Sequence, residues 1–458
     1  MLTLTAETAA RIIGGQLLSG PANAQIKGLT IDSREIQPGF MFVAFEGQHV
    51  DGHDYISQAV QNGATAVLVG KDNAPETPAN IATIKSDDAL AAIQKLAVYE
   101  RDHCTGPVVA VTGSNGKTTT KEMLKSVFAT LGPCLATKQN QNNELGLPLT
   151  LLRHDASHTS IVVEMGMRAR GEIEELSTIA KPTTGIITNI GHSHLELLGS
   201  QEQIALAKTE LLESLPEDGY AVLLSDDPWL RKLAHKTSAQ IVWFGMSEDC
   251  DAWAENVSIA GNSTMFTAHV LGSSAKVTLP TLGQHNVLNA LSALLAGAVN
   301  GLQLQKMAEA LQQVSSVSGR LHQVPGKDDR IIIDDCYNAS PSSMSASLHV
   351  LQQVAGQKNM PAAAILGDMY ELGTFAEEGH RQTGALAAQM GIQHVITVGQ
   401  MSRWIAEGVR KMGKTAVHEF SDTKALLEEL DRILPPHSAV LVKASRGMHL
   451  EEIVRALT

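Results

Sequence analysis

The stretch Thr112-Gly-Ser-Asn-Gly-Lys-Thr-Thr119, entered from the apolar run 107–111, combines the residue types that hold a chain of phosphates. Gly113 and Gly116 let the backbone turn its N–H groups inward around phosphate oxygens, Lys117 brings a point charge to the outer phosphates, and the Thr118 hydroxyl suits Mg²⁺. Thr112, Ser114, Asn115 and Thr119 complete the loop. Its chemistry would be the binding of a nucleoside triphosphate for phosphoryl transfer. Met123, Leu124, Val127, Phe128 and Leu131 recur at helical spacing over 117–131, which sets the phosphates on a helix N-terminus. The longer form of such a loop carries Gly five residues before Gly116, where Val111 stands.

Glu164 closes the apolar run 160–163, the place where an open α/β sheet puts a carboxylate to hold a metal beside phosphate. A solvated loop acid is the plainer alternative. His192 and His194 lie just past the run 185–188, so either one is a candidate ligand at the same edge, against an ordinary structural role. Lys208 falls inside the stripe Ile204, Ala207, Leu211, Leu212 and Leu215 of a helix expected over 203–215, and therefore faces the core side. Either its stem packs while the ammonium reaches water, or the amine is desolvated, with a lowered pKa that lets it meet an electrophile such as CO₂ or sit beside phosphates.

Asn140, Asn142 and Asn143 crowd amide donors and acceptors into the loop 137–148, unless they serve only its turns. Asp32-Ser33-Arg34 and Asp51-Gly52-His53 read equally as polar-ligand contacts or as turn chemistry. In the stretch 283–290, Asn286 or Asn289 is placed to cap an Ala/Leu helix. Asp334-Asp335-Cys-Tyr-Asn338 again ends an apolar run, where a carboxylate and an amide suit ribose or phosphate contacts from a closing domain.

These groups need several elements to position them. At 458 residues the chain predicts about three domains, placed at 1–84, 85–317 and 318–458. The first is a small α/β unit with no phosphate loop. The second alternates apolar strands at 108–111, 161–163, 185–188 and 220–224 with helices, which predicts a parallel sheet with ligands at its C-terminal strand edges. The third repeats that logic at 331–333, 362–366, 394–398 and 439–442, as a dinucleotide-fold-type unit without the usual glycine fingerprint. The small polar segment 314–320 marks the second boundary.

With 35 Lys and Arg against 48 Asp and Glu, the formal charge of −13 argues against a nucleic-acid polymer as partner. A 4% aromatic share argues the same for single strands. Cys104, Cys134, Cys250 and Cys336 are scattered, so neither a thiolate zinc site nor a disulfide framework is expected, and a reducing cytoplasm fits. No signal peptide or membrane span is read in the chain, which is expected to work as a monomer.

Together these segments resemble the Mur ligases of peptidoglycan synthesis. The resemblance is carried by Asp32-Ser33-Arg34, 112–119, 140–148, Glu164-Met-Gly166, 188–194, Ala207-Lys208-x-Glu210, 283–289, Gly319-Arg320, 334–341, Leu366-Gly-Asp-Met369 with Glu371-Leu-Gly373, and Lys443-Ala-Ser-Arg446. It spans nearly the whole chain. It accounts for Val111, since the loop of this family resembles Thr-Gly-x-x-Gly-Lys-Thr; Thr209 stands where its pattern has glycine.

The resemblance implies three domains: a UDP-substrate domain, a central ATP domain and a Rossmann-like domain that closes on ATP and takes the incoming dipeptide. It implies that Lys117 and Thr118 hold ATP phosphates and Mg²⁺, with Glu164, His194 and Lys208 at the metals and Lys208 carbamylated by CO₂. Arg320, Asp335 and Asn338 would complete the ATP site, Asn289 would lie near adenine, Asn140, Asn142 and Asn143 near the UDP-sugar, and Ser33 and Arg34 on the UDP substrate. Lys117, Lys208 and Arg320 are the catalytic candidates. The motif order is most similar to members that join D-alanyl-D-alanine to UDP-N-acetylmuramoyl-tripeptide through an acyl phosphate. The competing expectations are a sibling ligase adding diaminopimelate or lysine, folylpolyglutamate synthase, and a nucleotide switch that only hydrolyses ATP.

Overall fold

Runs of four to six apolar, largely β-branched or small residues bounded by Gly and polar turns form strands buried on both faces, and here they assemble into three main sheets. The computed structural model describes all residues except 48–49, 71–75, 315–318 and 414. The division expected at 317/318 lies outside the described residues, and the one at 84/85 falls within the strand Ala82–Lys85.

The first sheet runs Gln16–Ser19, Ala82–Lys85, Ala66–Val69, Phe40–Val43, Gly28–Thr30, parallel except for its first strand. It shares a core with the second unit. Ile13 and Ile84 pack in one cluster with Ile93 and Leu96 of the helix Ala89–Asp102 and with Leu151 and Ile179 beyond it.

The second sheet has nine strands. Six parallel ones, Cys134–Ala136, Ser160–Glu164, Val108–Thr112, Thr184–Ile187, Tyr220–Leu224 and Gln240–Phe244, lie side by side in that order. Ala252–Ala260 joins Gln240–Phe244 in parallel through one residue pair, then continues into the antiparallel ribbon Ser263–Val270 and Ser273–Leu279. The six parallel strands form the parallel sheet the sequence predicts, and the antiparallel ribbon extends it. The ribbon covers the helix Gln284–Val299, whose Val287, Leu291 and Leu294 pack with Phe266 and Val277.

The third sheet runs His322–Pro325, Ile331–Asp334, Ala439–Lys443, Ala362–Gly367, His394–Val398, Ala416–Phe420, parallel but for its first strand. The helix expected over 203–215 is two helices, Gln201–Lys208 and Glu210–Glu213. They break at Thr209, whose hydroxyl donates to Leu206 O at 3.1 Å and competes with the helical ladder. Among the described residues the four cysteines are free and no helix is long and apolar enough to cross a membrane.

Candidate active site

Strand register decides which groups meet. Val108–Thr112 lies between Ser160–Glu164 and Thr184–Ile187, with Val111 opposite Glu164 and Thr112 opposite Ile187. The phosphate-type loop, the Glu164 carboxylate and the Thr188-Asn189 turn therefore leave the sheet at one edge. Thr112 is fully buried and donates its hydroxyl to Met165 O, 2.9 Å. Thr188 Oγ1 and Asn189 Nδ2 both donate to Asn115 O, at 2.6 and 3.0 Å, and Asn189 Oδ1 accepts from Asn115 N at 3.1 Å. The loop is thus held in shape by its neighbours. Gly113 is required: at φ 146° a Cβ would stand 1.9 Å from Thr188 Oγ1.

The helix Lys117–Phe128 starts at Gly116, φ 84°, with no side-chain cap, so its first-turn N–H groups are left for an anion. Asn289 Oδ1 lies 2.6 Å from where a Gly116 Cβ would be. Neither Asn286 nor Asn289 accepts as a cap. Asn286 Nδ2 donates back to Leu282 O, and Asn289 Nδ2 to Asn286 Oδ1.

Lys117 Nζ donates to Gly113 O at 2.7 Å and Lys208 Nζ to the same oxygen at 3.1 Å. Lys208, 1% exposed, faces the core side and does not reach water. Burial pushes its pKa well below the lysine norm, and the neighbouring Lys117 charge adds to that. Lys117 is lowered as well, by burial first, with Glu164 opposing and Arg320 reinforcing.

Glu164 is buried rather than solvated: Oε1 accepts from Asn142 Nδ2 at 2.8 Å, and Oε2 has no partner among the described residues. That orphaned carboxylate oxygen, with Thr118 lining the same cavity, fits a hard cation such as Mg²⁺. No group of three His, Cys, Asp or Glu among the described residues forms a closed cage. Mg²⁺ takes one or two carboxylates and completes its shell with phosphate oxygens and water.

Two cavities meet over Gly116, Thr118 and Arg320. One, about 310 Å³, is also lined by Asn115, Thr119, Asn289 and Asp335. The other, about 580 Å³, is reached by Ser114, Lys117, Asn140, Asn142, Asn143, Glu164, His194 and Asn338. Fifteen of the sequence candidates are thereby gathered at one place, while Thr112, Gly113 and Lys208 line neither cavity. His285, half-buried in the first cavity wall, has its pKa pushed down to about 4 by desolvation.

The third sheet faces this edge with its own strand ends. Asp335 is clamped by Lys443 Nζ at 2.5 Å and Ser347 Oγ at 2.6 Å, and Lys443 also donates to Asn338 O at 2.9 Å. The Asn338 amide oxygen accepts from Ala339 N. Asn115 bridges the gap, accepting from Ser340 Oγ at 3.1 Å and donating to Ser342 Oγ at 3.0 Å. His194 Nδ1 lies 2.6 Å from Glu371 Oε2, with the ring turned off the line of a straight hydrogen bond. His192 stacks on Phe375 at 4.7 Å, and burial lowers its pKa. Both histidines are thus engaged by the third unit.

Ser33 and Arg34 stay apart from these cavities' walls. Asp32 caps their turn and forks onto the Arg34 guanidinium, which holds the Asp32 carboxyl at about 2, while Ser33 donates to Gln58. Asp51 Oδ1 caps its own turn, accepting from His53 N at 3.0 Å with His53 Nδ1 2.7 Å away. The sequence marks Lys443 as a strand end, just as it does Glu164, but gives it no site role. Thr188 and Asn189, within the stretch 188–194, likewise receive no role from the sequence, yet they shape the loop.

Three family models match the chain: Mur ligase family, catalytic domain, over residues 25–101, Mur ligase middle domain over 111–297, and Mur ligase, glutamate ligase domain over 319–446. The chain is similar to the UDP-N-acetylmuramoyl-tripeptide--D-alanyl-D-alanine ligase of Bacillus subtilis, 38% identical over 100% of this chain and 99% of that protein. A crystal structure of MurF from Acinetobacter baumannii superposes with a TM-score of 0.89 at 32% identity, covering 99% of this chain and 98% of that one. MurF ligase from Thermotoga maritima in complex with ADP gives 0.80 at 29% identity, covering 94% and 96%.

Proposed function

The chain belongs to the Mur ligase family, and from that premise we propose that it joins D-alanyl-D-alanine to UDP-N-acetylmuramoyl-tripeptide with ATP, in peptidoglycan precursor synthesis. The observation that carries this is the loop 114–119 opening into cavities walled from the other side by Arg320, Asp335 and Asn338. A switch that merely hydrolyses ATP needs no such second wall.

The γ-phosphoryl of ATP passes to the terminal carboxylate of the tripeptide, giving an acyl phosphate and ADP. The dipeptide amine then attacks the acyl carbon, phosphate leaves with its bond electrons, and the amine gives up a proton as the amide forms. Catalysis of this kind rests on positioning and charge neutralisation. Backbone N–H groups at the uncapped helix start, 116–119, hold the phosphates, Lys117 and Arg320 offset charge on the group in transfer, and Asn289, Asp335 and Asn338 complete the nucleotide site. Asn140, Asn142 and Asn143 take the sugar side of the UDP substrate, and Ser33 and Arg34 its UDP end. Thr118, Glu164 and His194 would hold Mg²⁺, which neutralises phosphate charge when bound.

The buried amine of Lys208, its pKa lowered by burial, suits carbamylation by CO₂, which would place there an anion able to support a second Mg²⁺. Domains at 1–84, 85–317 and 318–458 would bind the UDP substrate, ATP and the dipeptide respectively. Free cysteines and the absence of a membrane-crossing helix among the described residues fit work in the reducing cytoplasm.

The test is product mass spectrometry with both substrates and Mg-ATP, together with phosphate release. Expected is a product heavier by the dipeptide less water, with phosphate release requiring both substrates. Phosphate release independent of them, or ligation of diaminopimelate, lysine or glutamate instead, overturns the proposal.

A further inference from the structure

Lys121 is a buried cation with no part in the transfer steps. It lies on the helix Lys117–Phe128, is 1% exposed, and lines neither of the two cavities. We propose that Lys121 is a positioning residue for the UDP-substrate side of the site. Through the Thr137 carbonyl it fixes the root of the amide loop, and with it the Glu164 strand end, to the helix that follows the phosphate loop. The inference rests on the ligase reading above and adds to it a residue that touches no substrate.

Placement is the first reason. The Lys121 ammonium donates to Thr137 O at 3.0 Å and pairs with the Glu122 carboxylate. Glu122 lines the cavity of about 310 Å³. Thr137 follows the strand Cys134–Ala136 and begins the loop whose Asn140, Asn142 and Asn143 line the cavity of about 580 Å³. One side chain therefore reaches the border of both compartments.

Thr137 passes the hold on, which is the second reason. It is 2% exposed, its N–H donates to Val162 O at 3.1 Å, and its hydroxyl oxygen accepts from Glu164 N at 3.0 Å. Asn142 completes the link, donating through Nδ2 to Glu164 Oε1 at 2.8 Å and accepting at its carbonyl from Gly166 N at 2.9 Å. The direction of the free Glu164 oxygen and the set of the asparagines thus share one anchor.

Energetics is the third. A buried ammonium is costly unless acceptors meet its donors, and an apolar side chain of similar length would fill the space without that cost. What the charge supplies here is its grip on Thr137 O. The outer part of the loop has a separate tie, Arg153 Nη1 to Gln141 Oε1 at 2.9 Å. Losing Lys121 therefore frees the root of the loop while its outer part stays attached.

The experiment compares the parent with K121M, which keeps the stem and removes the donor, with T137V, which removes the hydroxyl that meets Glu164 N, and with T137S, which keeps it. KM for UDP-N-acetylmuramoyl-tripeptide and for ATP is measured in ligation. Calorimetry with a non-hydrolysable ATP analogue bound gives the Kd of the UDP substrate without turnover. K121M and T137V are expected to raise KM and Kd for the UDP substrate about 10-fold, the low end of what a hydrogen bond from a charged group provides. The KM for ATP should stay nearly unchanged, and T137S should behave as the parent. K121M/T137V should lose less than the product of the two single losses, because both act along one path. Folded K121M that keeps the parent's Kd, or raises both KM values equally, overturns the positioning role. E122Q reproducing K121M overturns the route through Thr137. If K121M does not fold, T137V against T137S decides by the same readouts. A parent enzyme that neither binds nor ligates the UDP substrate overturns the ligase reading and this inference with it. A parent that does both, beside an unaffected K121M, overturns this inference alone.

Discussion

Lys117 and Lys208 donate to one acceptor, the carbonyl oxygen of Gly113, at 2.7 and 3.1 Å. Burial disfavours the charged form of Lys208, and the repulsion of two ammonium groups on one neutral oxygen adds to the cost, so Lys208 yields its proton more easily than an ordinary lysine. A neutral amine is the form that captures CO₂.

K208A is therefore expected to lose activity by about 100-fold or more, the scale on which losing one preorganised charge counts in catalysis. Added formate or acetate should partly restore it. Steady-state rates with and without the carboxylate check this, and equal activity of variant and parent refutes the carbamate. Stability carries an independent sign. With the folded pKa depressed, the unfolded chain binds the extra proton between that value and the ordinary 10.5, so stability rises with pH across the window. Urea unfolding in carbonate-free buffer should show the parent gaining on K208M as the pH is raised.

Gly116 and Gly199 both have positive φ, 84° and 78°, but only at Gly116 would a Cβ meet something, Asn289 Oδ1 at 2.6 Å. G199A should cost about 1 kcal/mol, the left-handed backbone penalty alone. G116A should cost more and raise the KM for ATP, because the displaced Asn289 lines the nucleotide cavity. Thermal melts and ATP titrations of the two variants side by side check the contrast.

Lys443 and Asp335 form an ion pair, 2% and 6% exposed, between two strand ends. K443M leaves a carboxylate buried without its cation and should destabilise by about 3–5 kcal/mol. D335N/K443M should be more stable than K443M, since the uncompensated charge is gone. A double-mutant cycle in urea measures the coupling.

Away from the site, the buried His154 lies 3.1 Å from Glu100, whose other oxygen accepts from Leu2 N at 2.8 Å. Contact with Cys104 first and Glu100 second raises the His154 pKa from 6.5 to about 9. Its contribution to stability is then full below about 6.5 and lost as the pH passes through about 9. H154Q should be less stable than the parent by about 1–3 kcal/mol at pH 6, at roughly 1.4 kcal/mol per unit discounted for screening. The gap should close by pH 10, as unfolding at the two pH values would reveal.

The local parts of the site were legible in the chain. Gly113, Gly116, Lys117 and Thr118 are fixed by adjacent positions, Glu164 by the end of an apolar run, and Lys208 by falling inside a helical stripe, because backbone turn, strand and helix periodicities are local properties. The α/β alternation likewise announced the sheets, since consecutive buried strands joined by helices have few other ways to pair.

Tertiary structure alone decided the rest. Lys443 meets Asp335 across 108 residues and Asn115 meets Ser340 across 225, distances over which no spacing rule operates. His194 faces Glu371, and Tyr337 gathers Arg320 and Arg446, only because two sheets present their strand ends to each other. The antiparallel ribbon at Ala252–Leu279 and the helix break at Thr209 went unread for a related reason. Alternating polar and apolar residues suit more than one pairing, and which pairing wins depends on what the rest of the chain places against them.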